Sequence, residues 1–256
     1  MRHRYVVGAV IAFAAISGLV YLFWPKPIAE PPVLPSTVTD APLPPPIEHP
    51  LPEAPPDSAA PPLPALADSD AYLLDALGEL IGAQPANDLV VVPGIARRIV
   101  ATVDHLGRDK LPVLTRAVGP IPGSLAVVRD GDRITLAEAN FARYAPYVAL
   151  VERLDVSRLA ALYQRIYPLL QQAYGEIGPE GRYFNDRVIA VIDDLLATPQ
   201  VAGPIELEQP SVHFRFKDPA LEARSSGQKL LLRMGEAHAT VVKERLLTLR
   251  ALIARQ

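Results

Sequence analysis

The order of apolar and polar positions divides the chain into three parts. From Tyr5 to Trp24, twenty positions pass without a charged residue (YVVGAVIAFAAISGLVYLFW). At ~1.5 Å per residue, a helix of that length crosses the ~30 Å hydrocarbon core of a bilayer. Tyr5 stands at one end and Tyr21 and Trp24 at the other, where amphipathic rings settle at the membrane interface. Met1–Arg4 carries two arginines and a histidine, which predicts a cytoplasmic N-terminus at 1–4 and the rest of the chain across the membrane. A cleaved signal peptide is the competing reading. Its apolar region runs only ~7–15 residues and ends at small residues, whereas this one is longer and ends in LFWPKP. An uncleaved transmembrane helix over 5–24 is therefore expected.

Residues 25–67 hold 16 of the chain's 28 prolines and little aliphatic periodicity. Proline fixes φ and removes a backbone donor, so neither helix nor sheet propagates. The segment reads as an extended, solvated tether with a reach of at most ~130 Å at ~3.1 Å per residue. PxxP spacings occur at Pro42–Pro45 and Pro52–Pro55. In so dense a run they arise by chance, and a ligand for an aromatic groove is the lesser reading.

The third part, 68–256, is long enough to bury a core. Its periodicity predicts a helix to about Ile81 capped by Asp68 or Ser69, and a second over Pro93–Leu106. Gly107–Ser124 reads as loop. Leu125–Val128 and Arg133–Leu136 flank Asp130-Gly131, a hairpin signal. Helical patterning resumes at Ala137, interrupted near Pro146. It continues over Val156–Gly175, with a kink or break expected at Pro168, and over Tyr183–Ala197. Pro204–Phe216 alternates loosely and is a possible strand. Two last helices, Ala220–Met234 and Glu236–Ala254, hinge at Gly235. No internal repeat of fixed period stands out. The fold class expected is mainly α: a multi-helix globular domain with a small β-hairpin.

Composition sharpens this only in places. Hydrophobic residues make up 50% of the chain and mean hydropathy is +0.17, an excess concentrated in the first 24 residues. A net charge of −3 gives no footprint for nucleic acid. The absence of cysteine removes disulfides, thiol catalysis and zinc–thiolate sites. The last 33 residues are basic, with seven basic and two acidic side chains, and carry Val242, Leu246, Leu249 and Ile253 at helical spacing. A lipid-binding face or a coiled-coil seam is conceivable, but an amphipathic helix packed on an acidic body explains the same pattern.

Signatures of chemistry are mostly missing. The five histidines have no ligand spacing, and His105 beside Asp104 reads as a surface or capping residue. There is no G-x-S-x-G or G-x-G-x-x-G. Gly227-Gln228-Lys229 lacks the rest of a phosphate loop. Asp186 and Asp193 could share a helix face, yet nothing holds them across a cleft as a glycosidase pair requires. No cofactor and no metal site is implied. One concentration remains. Six of nine tyrosines fall between Tyr144 and Tyr183, and Tyr163, Tyr167 and Tyr174 share a helix face. The candidate binding patch is Arg143, Tyr144, Tyr147, Tyr163, Tyr167, Tyr183, Asn185 and Asp186. Tyrosine suits a partly wet interface. The plainer alternative is a core edge in which Asp186 pairs with Arg143 or Arg182.

The stretches VATVDHLGRDKLP, NFARYAPYVALVERLD, LYQRIYPLLQQAYGEIG, RYFNDRVIAVIDDLLATP and GQKLLLRMG resemble the bacterial envelope family catalogued as domain of unknown function 3014. The resemblance runs from about Leu66 to Ile253 and extends to the order of anchor, tether and domain. It implies a bacterial protein and no reaction. The expectation is a single-pass inner-membrane protein with a periplasmic, non-enzymatic binding or scaffolding domain, facing an envelope protein or cell-wall ligand. The alternative is an envelope enzyme using carboxylates and tyrosines of residues 143–187.

Overall fold

The computed structural model describes residues 46–52 and 61–254. The span expected at 5–24 lies outside the described residues. Among the described residues no helix is long and apolar enough to cross a membrane.

A 3₁₀ turn at Leu66–Asp68 leads into α1 (Asp70–Ile81). Ser69 precedes it but does not cap it: its hydroxyl donates to the Leu66 carbonyl at 2.9 Å. A helix not expected from the sequence, α2 (Ala83–Leu89), follows Gly82, whose φ of 98° turns the chain. Pro85 sits in its first turn, where a missing N–H costs nothing. The next helix, α3 (Ile95–Leu106), begins two residues later than Pro93. The Asp70 carboxylate sets that start, accepting from Gly94 N–H and Ile95 N–H at 2.8 Å each. A residue of α1 thus supplies the acceptor that the first turn of α3 lacks.

The hairpin forms as β1 (Val127–Asp130) and β2 (Arg133–Leu136), and Gly131 in the turn has a φ of 55°. It is half of a larger sheet. β3 (Glu206–Glu208) pairs antiparallel with β2, and β4 (Arg215–Phe216) with β3, giving the order β1-β2-β3-β4. The expected small hairpin is therefore corrected to a four-stranded antiparallel sheet. Its inward residues Leu136, Leu207 and Phe216 pack on Leu221 and Leu232.

Between hairpin and sheet edge come α4 (Ala139–Ala142), α5 (Ala145–Arg153), α6 (Val156–Ile177) and α7 (Phe184–Leu196). Pro146 falls at the start of α5, where proline is tolerated. The Asp155 side chain caps α6, accepting from Ser157 N–H at 2.9 Å and Arg158 N–H at 3.1 Å. Pro168 does not break α6, which runs as one helix of 22 residues. The single helix expected over Ala220–Met234 is two, α8 (Pro219–Glu222) and α9 (Ser226–Met234). Ser225 divides them because its hydroxyl caps α9 by accepting from Gln228 N–H at 3.1 Å. The last helix, α10 (Glu236–Ile253), leaves Gly235 at a φ of 87°.

The main core lies among α3, α6, α7 and the end of α10, with Ile95, Val100, Leu170, Phe184, Ile189 and Ile253 almost fully buried. α10 packs along α5, α6 and α7, and Arg250 on it pairs with Asp193 at 2.6 Å. The basic C-terminal helix is thus an amphipathic element packed on the body.

Most described residues of 25–67 are exposed, but its leucines are not free of the domain. Leu51 and Leu63 pack against the main core, Leu66 is buried within it, and the Arg165 guanidinium donates to the Pro61 carbonyl. The reason lies in the leucines. Each is a large aliphatic side chain set among prolines, alanines and a few polar residues, and has a hydrophobic surface within reach.

Candidate functional site

One face of α6 presents Tyr163, Tyr167 and Gln171, four residues apart, toward the start of α7. Tyr183 at the α7 N-cap offers no side-chain acceptor to the first turn. Gln171 supplies it from α6. Its Oε1 accepts from Phe184 N–H at 2.8 Å, and its Nε2 donates to the Arg182 carbonyl at 3.0 Å. The Tyr167 hydroxyl donates to the same Oε1 at 2.9 Å, and the Tyr163 hydroxyl donates to Asn185 Oδ1 at 2.9 Å. The two rings meet edge to face, centroids 5.9 Å apart.

Asn185 is 1% exposed, so its amide must be satisfied internally. Besides accepting from Tyr163, it donates through Nδ2 to the Ile253 carbonyl at 3.0 Å and to the His49 carbonyl at 2.8 Å. Its neighbour Asp186 accepts from His49 N–H at 2.7 Å and from Glu48 N–H at 3.2 Å. Two adjacent side chains of α7 therefore grip three main-chain groups of residues 48–49. Two residues further on, Leu51 reaches the main core. The site is a groove that holds a bend in the main chain at residues 48–49 and seats one apolar side chain beside it. Its occupant is the chain's own segment 46–52.

Burial holds the Tyr163 phenol far above the ordinary tyrosine range, with the neighbouring Tyr167 and Asp186 adding to the shift. Burial also raises Tyr167, partly offset by the hydrogen bond from the Asn185 backbone. Both phenols are neutral donors at ordinary pH. They suit hydrogen bonding and not proton abstraction.

Of the remaining patch residues, Arg143, Tyr144 and Tyr147 stand apart from this network and Tyr183 borders it. Tyr183 is half-buried at the N-terminal end of α7. Arg143 donates to the carbonyls of Pro122 at 3.1 Å and Gly123 at 2.8 Å and to Asn140 Oδ1 at 2.9 Å. Tyr144 is buried in a second cluster with Val148, Val191 and Leu195, and burial raises its phenol. Tyr147 is half-buried and lines a separate surface depression of about 460 Å³ with Pro122, Pro146 and Leu150. The expected pairing of Asp186 with Arg143 or Arg182 is not seen, since main-chain amides occupy its carboxylate.

The other acids of the region have their own partners. Asp193 holds Arg250. Asp194 accepts from the Ser225 hydroxyl at 2.6 Å and from Gln228 Nε2 at 3.1 Å. Arg187 is tied to Asp104, Nε to Oδ1 at 2.8 Å, and Arg108 reaches the other oxygen at 2.6 Å. His105 bonds its own helix at Ala101 O. Among the described residues no three His, Asp or Glu side chains gather as metal ligands. Sequence reasoning missed Gln171 and Asp104. Gln171 continues the 163–167 spacing by one more step. Asp104 offered only its i, i+4 spacing to Arg108, since its other partner, Arg187, is remote in sequence.

A family model described as protein of unknown function (DUF3014) matches residues 95–250. The chain belongs to this family. The DUF3014 match includes α6, α7 and the groove residues Tyr163, Tyr167, Asn185 and Asp186, and it begins after the docked segment 46–52. It is narrower than the resemblance expected over Leu66–Ile253. No curated protein and no solved structure matches the chain.

Proposed function

We propose that this DUF3014 protein is a non-enzymatic binding module that engages a bent, proline-flanked stretch of polypeptide through the Asn185–Asp186 groove. In this reading, residues 5–24 anchor it in the bacterial inner membrane, with the N-terminus cytoplasmic and the domain periplasmic. The uncharged run and the arginines ahead of it support the anchor and its orientation. The observation that carries the binding reading is the grip on residues 48–49: a carboxylate accepts two successive amides while the adjacent Asn amide donates to the carbonyl between them and Pro50. Main-chain bonds of this kind supply affinity in peptide recognition, and side-chain pockets supply selectivity.

The alternative of an envelope enzyme gains nothing specific from the geometry. Asp186, Arg187 and Asp193 are each engaged by a different partner. A general acid–base pair needs free carboxylates converging on one space.

The test is crosslinking in intact cells with a photoreactive residue at position 183, beside the groove. The expected product is a polypeptide adduct that disappears in the Asp186→Asn variant. Adducts to glycan strands, or a yield indifferent to Asp186, would refute the reading. Protease added to spheroplasts should digest the domain, and protection would refute its placement.

A further inference from the structure

The groove constrains its ligand in a way that can be written as a pattern. Residues 48 and 49 must both carry an N–H, because Asp186 accepts from each. Residue 49 must offer its carbonyl to Asn185. Residue 51 must be apolar, since Leu51 rests on the main core. Pro50 and Pro52 flank that leucine just past the bend at 48–49, and each fixes its own φ. The pattern is two non-proline residues followed by Pro-Leu-Pro.

Pro-Leu-Pro occurs three times in the proline-rich segment, at 42–44, 50–52 and 62–64. The copy at 62–64 is preceded by Pro61, which has no N–H, and could not satisfy Asp186. The copy at 42–44 is preceded by Asp40 and Ala41, which both carry one. Asp40-Ala41-Pro42-Leu43-Pro44 thus repeats Glu48-His49-Pro50-Leu51-Pro52 eight positions earlier, with an acidic residue first in each. Among the described residues the Glu48 side chain has no hydrogen-bond or ion-pair partner, and the pattern is written from backbone and leucine.

Resting on the reading of the groove as a peptide site, we propose that it is selective for x-x-Pro-Leu-Pro with two amide-bearing leading residues, and that Asp40–Pro44 is a second ligand for it. The two copies compete in cis for one site. The nearer copy connects to Pro61 through residues 53–60 and the farther one through 45–60. Doubling that connection disfavours the farther copy about threefold by loop entropy. That is consistent with segment 48–52 being the one seated. A change in which copy is docked shifts the attachment point of the domain along the tether by eight residues. A partner carrying the same pattern would enter by the same competition.

The experiment is residue-resolved hydrogen exchange on the full chain. In the native protein the Glu48 and His49 amides should exchange slowly and those of Asp40 and Ala41 fast. His49→Pro removes one donor and vacates the groove. The proposal expects the Asp40 and Ala41 amides then to slow about tenfold or more, as one charge-assisted hydrogen bond provides. Leu51→Ser, which removes the anchor and keeps both amides, should produce the same transfer, so the result does not hang on one variant. A synthetic peptide of residues 46–54 added to the His49→Pro, Ala41→Pro chain separates the two claims. If the peptide binds there but Asp40 and Ala41 stay fast in both single variants, the second ligand is overturned and the groove stands. If the peptide fails to bind a chain that melts like the native one, the groove reading falls with it.

Discussion

Replacing Asn185 with alanine tests whether the groove is built around that amide. The side chain is 1% exposed and makes three hydrogen bonds, to the Tyr163 hydroxyl, the Ile253 carbonyl and the His49 carbonyl. Asn185→Ala removes all three and strands the first two partners inside the fold. An unsatisfied buried group costs about 1–3 kcal/mol, so the summed loss for two is about 2–6 kcal/mol. For a domain of this size each kcal/mol lowers Tm by about 2–4 °C. Tyr163→Phe removes one bond and should cost about 1 kcal/mol. The two changes share that bond. The double variant should therefore be less destabilised than the sum of the singles by about 1 kcal/mol. Urea unfolding of the full chain followed by far-UV circular dichroism measures all four corners of the cycle. A loss under about 1 kcal/mol for Asn185→Ala, or strict additivity with Tyr163→Phe, would refute the network described here.

Two other outcomes follow from single positions. A Cβ at Gly227 would meet the Leu195 side chain and lie 3.0 Å from the Leu106 carbonyl, so Gly227→Ala should overpack the junction of α9 with α3 and α7 and cost about 1–3 kcal/mol, read by thermal melting. Burial keeps the Tyr163 phenol neutral past the ordinary tyrosine value of 10.0, so the stability it contributes is complete below that pH and is lost as pH climbs above it. Tyr163→Phe should flatten the alkaline limb of the stability curve, and an unchanged limb would count against the burial argument.

The sequence showed helices wherever a one-sided apolar stripe was long, as in α6 and α7, because burial of that stripe is what forms them. β3 and β4 were legible only as the loose alternation of Pro204–Phe216, because strands of three and two residues carry too little of it to separate them and their pairing is decided by β2. α2 was hidden by Gly82 and Pro85, which read as punctuation but fall where a helix start accepts them. The 163–167 spacing places those two tyrosines on one face of α6, where their rings meet, while Tyr174 packs instead on Phe184. Grouping Arg143, Tyr144 and Tyr147 with that face relied on nearness in sequence, and the fold sends those residues to a second cluster and a separate depression. The occupant of the groove was least legible. Proline density argued for solvation, and the leucines that dock are set among residues with no preference for the core.

Asp104 ties the groove's helix to the rest of the core. Its side chain is 7% exposed and lies between Arg187 on α7 and Arg108 just past the end of α3. Removing one member of a buried ion pair costs about 3–5 kcal/mol when the other charge is stranded. Here Arg187 keeps 24% exposure and Arg108 53%, so water offsets part of the loss, and Asp104→Asn should cost about 2–3 kcal/mol. Arg108→Ala touches only an exposed partner and should cost under about 1 kcal/mol. The pair Asp104→Leu with Arg187→Met removes both charges together and should recover most of the loss, because the penalty comes from the uncompensated guanidinium and not from the missing attraction. Chemical denaturation of the three variants decides it. If Asp104→Asn costs no more than Arg108→Ala, the carboxylate is acting as a surface charge, and α7 is held against α3 without it, by apolar packing and the bond from Arg187 to the Asp104 carbonyl.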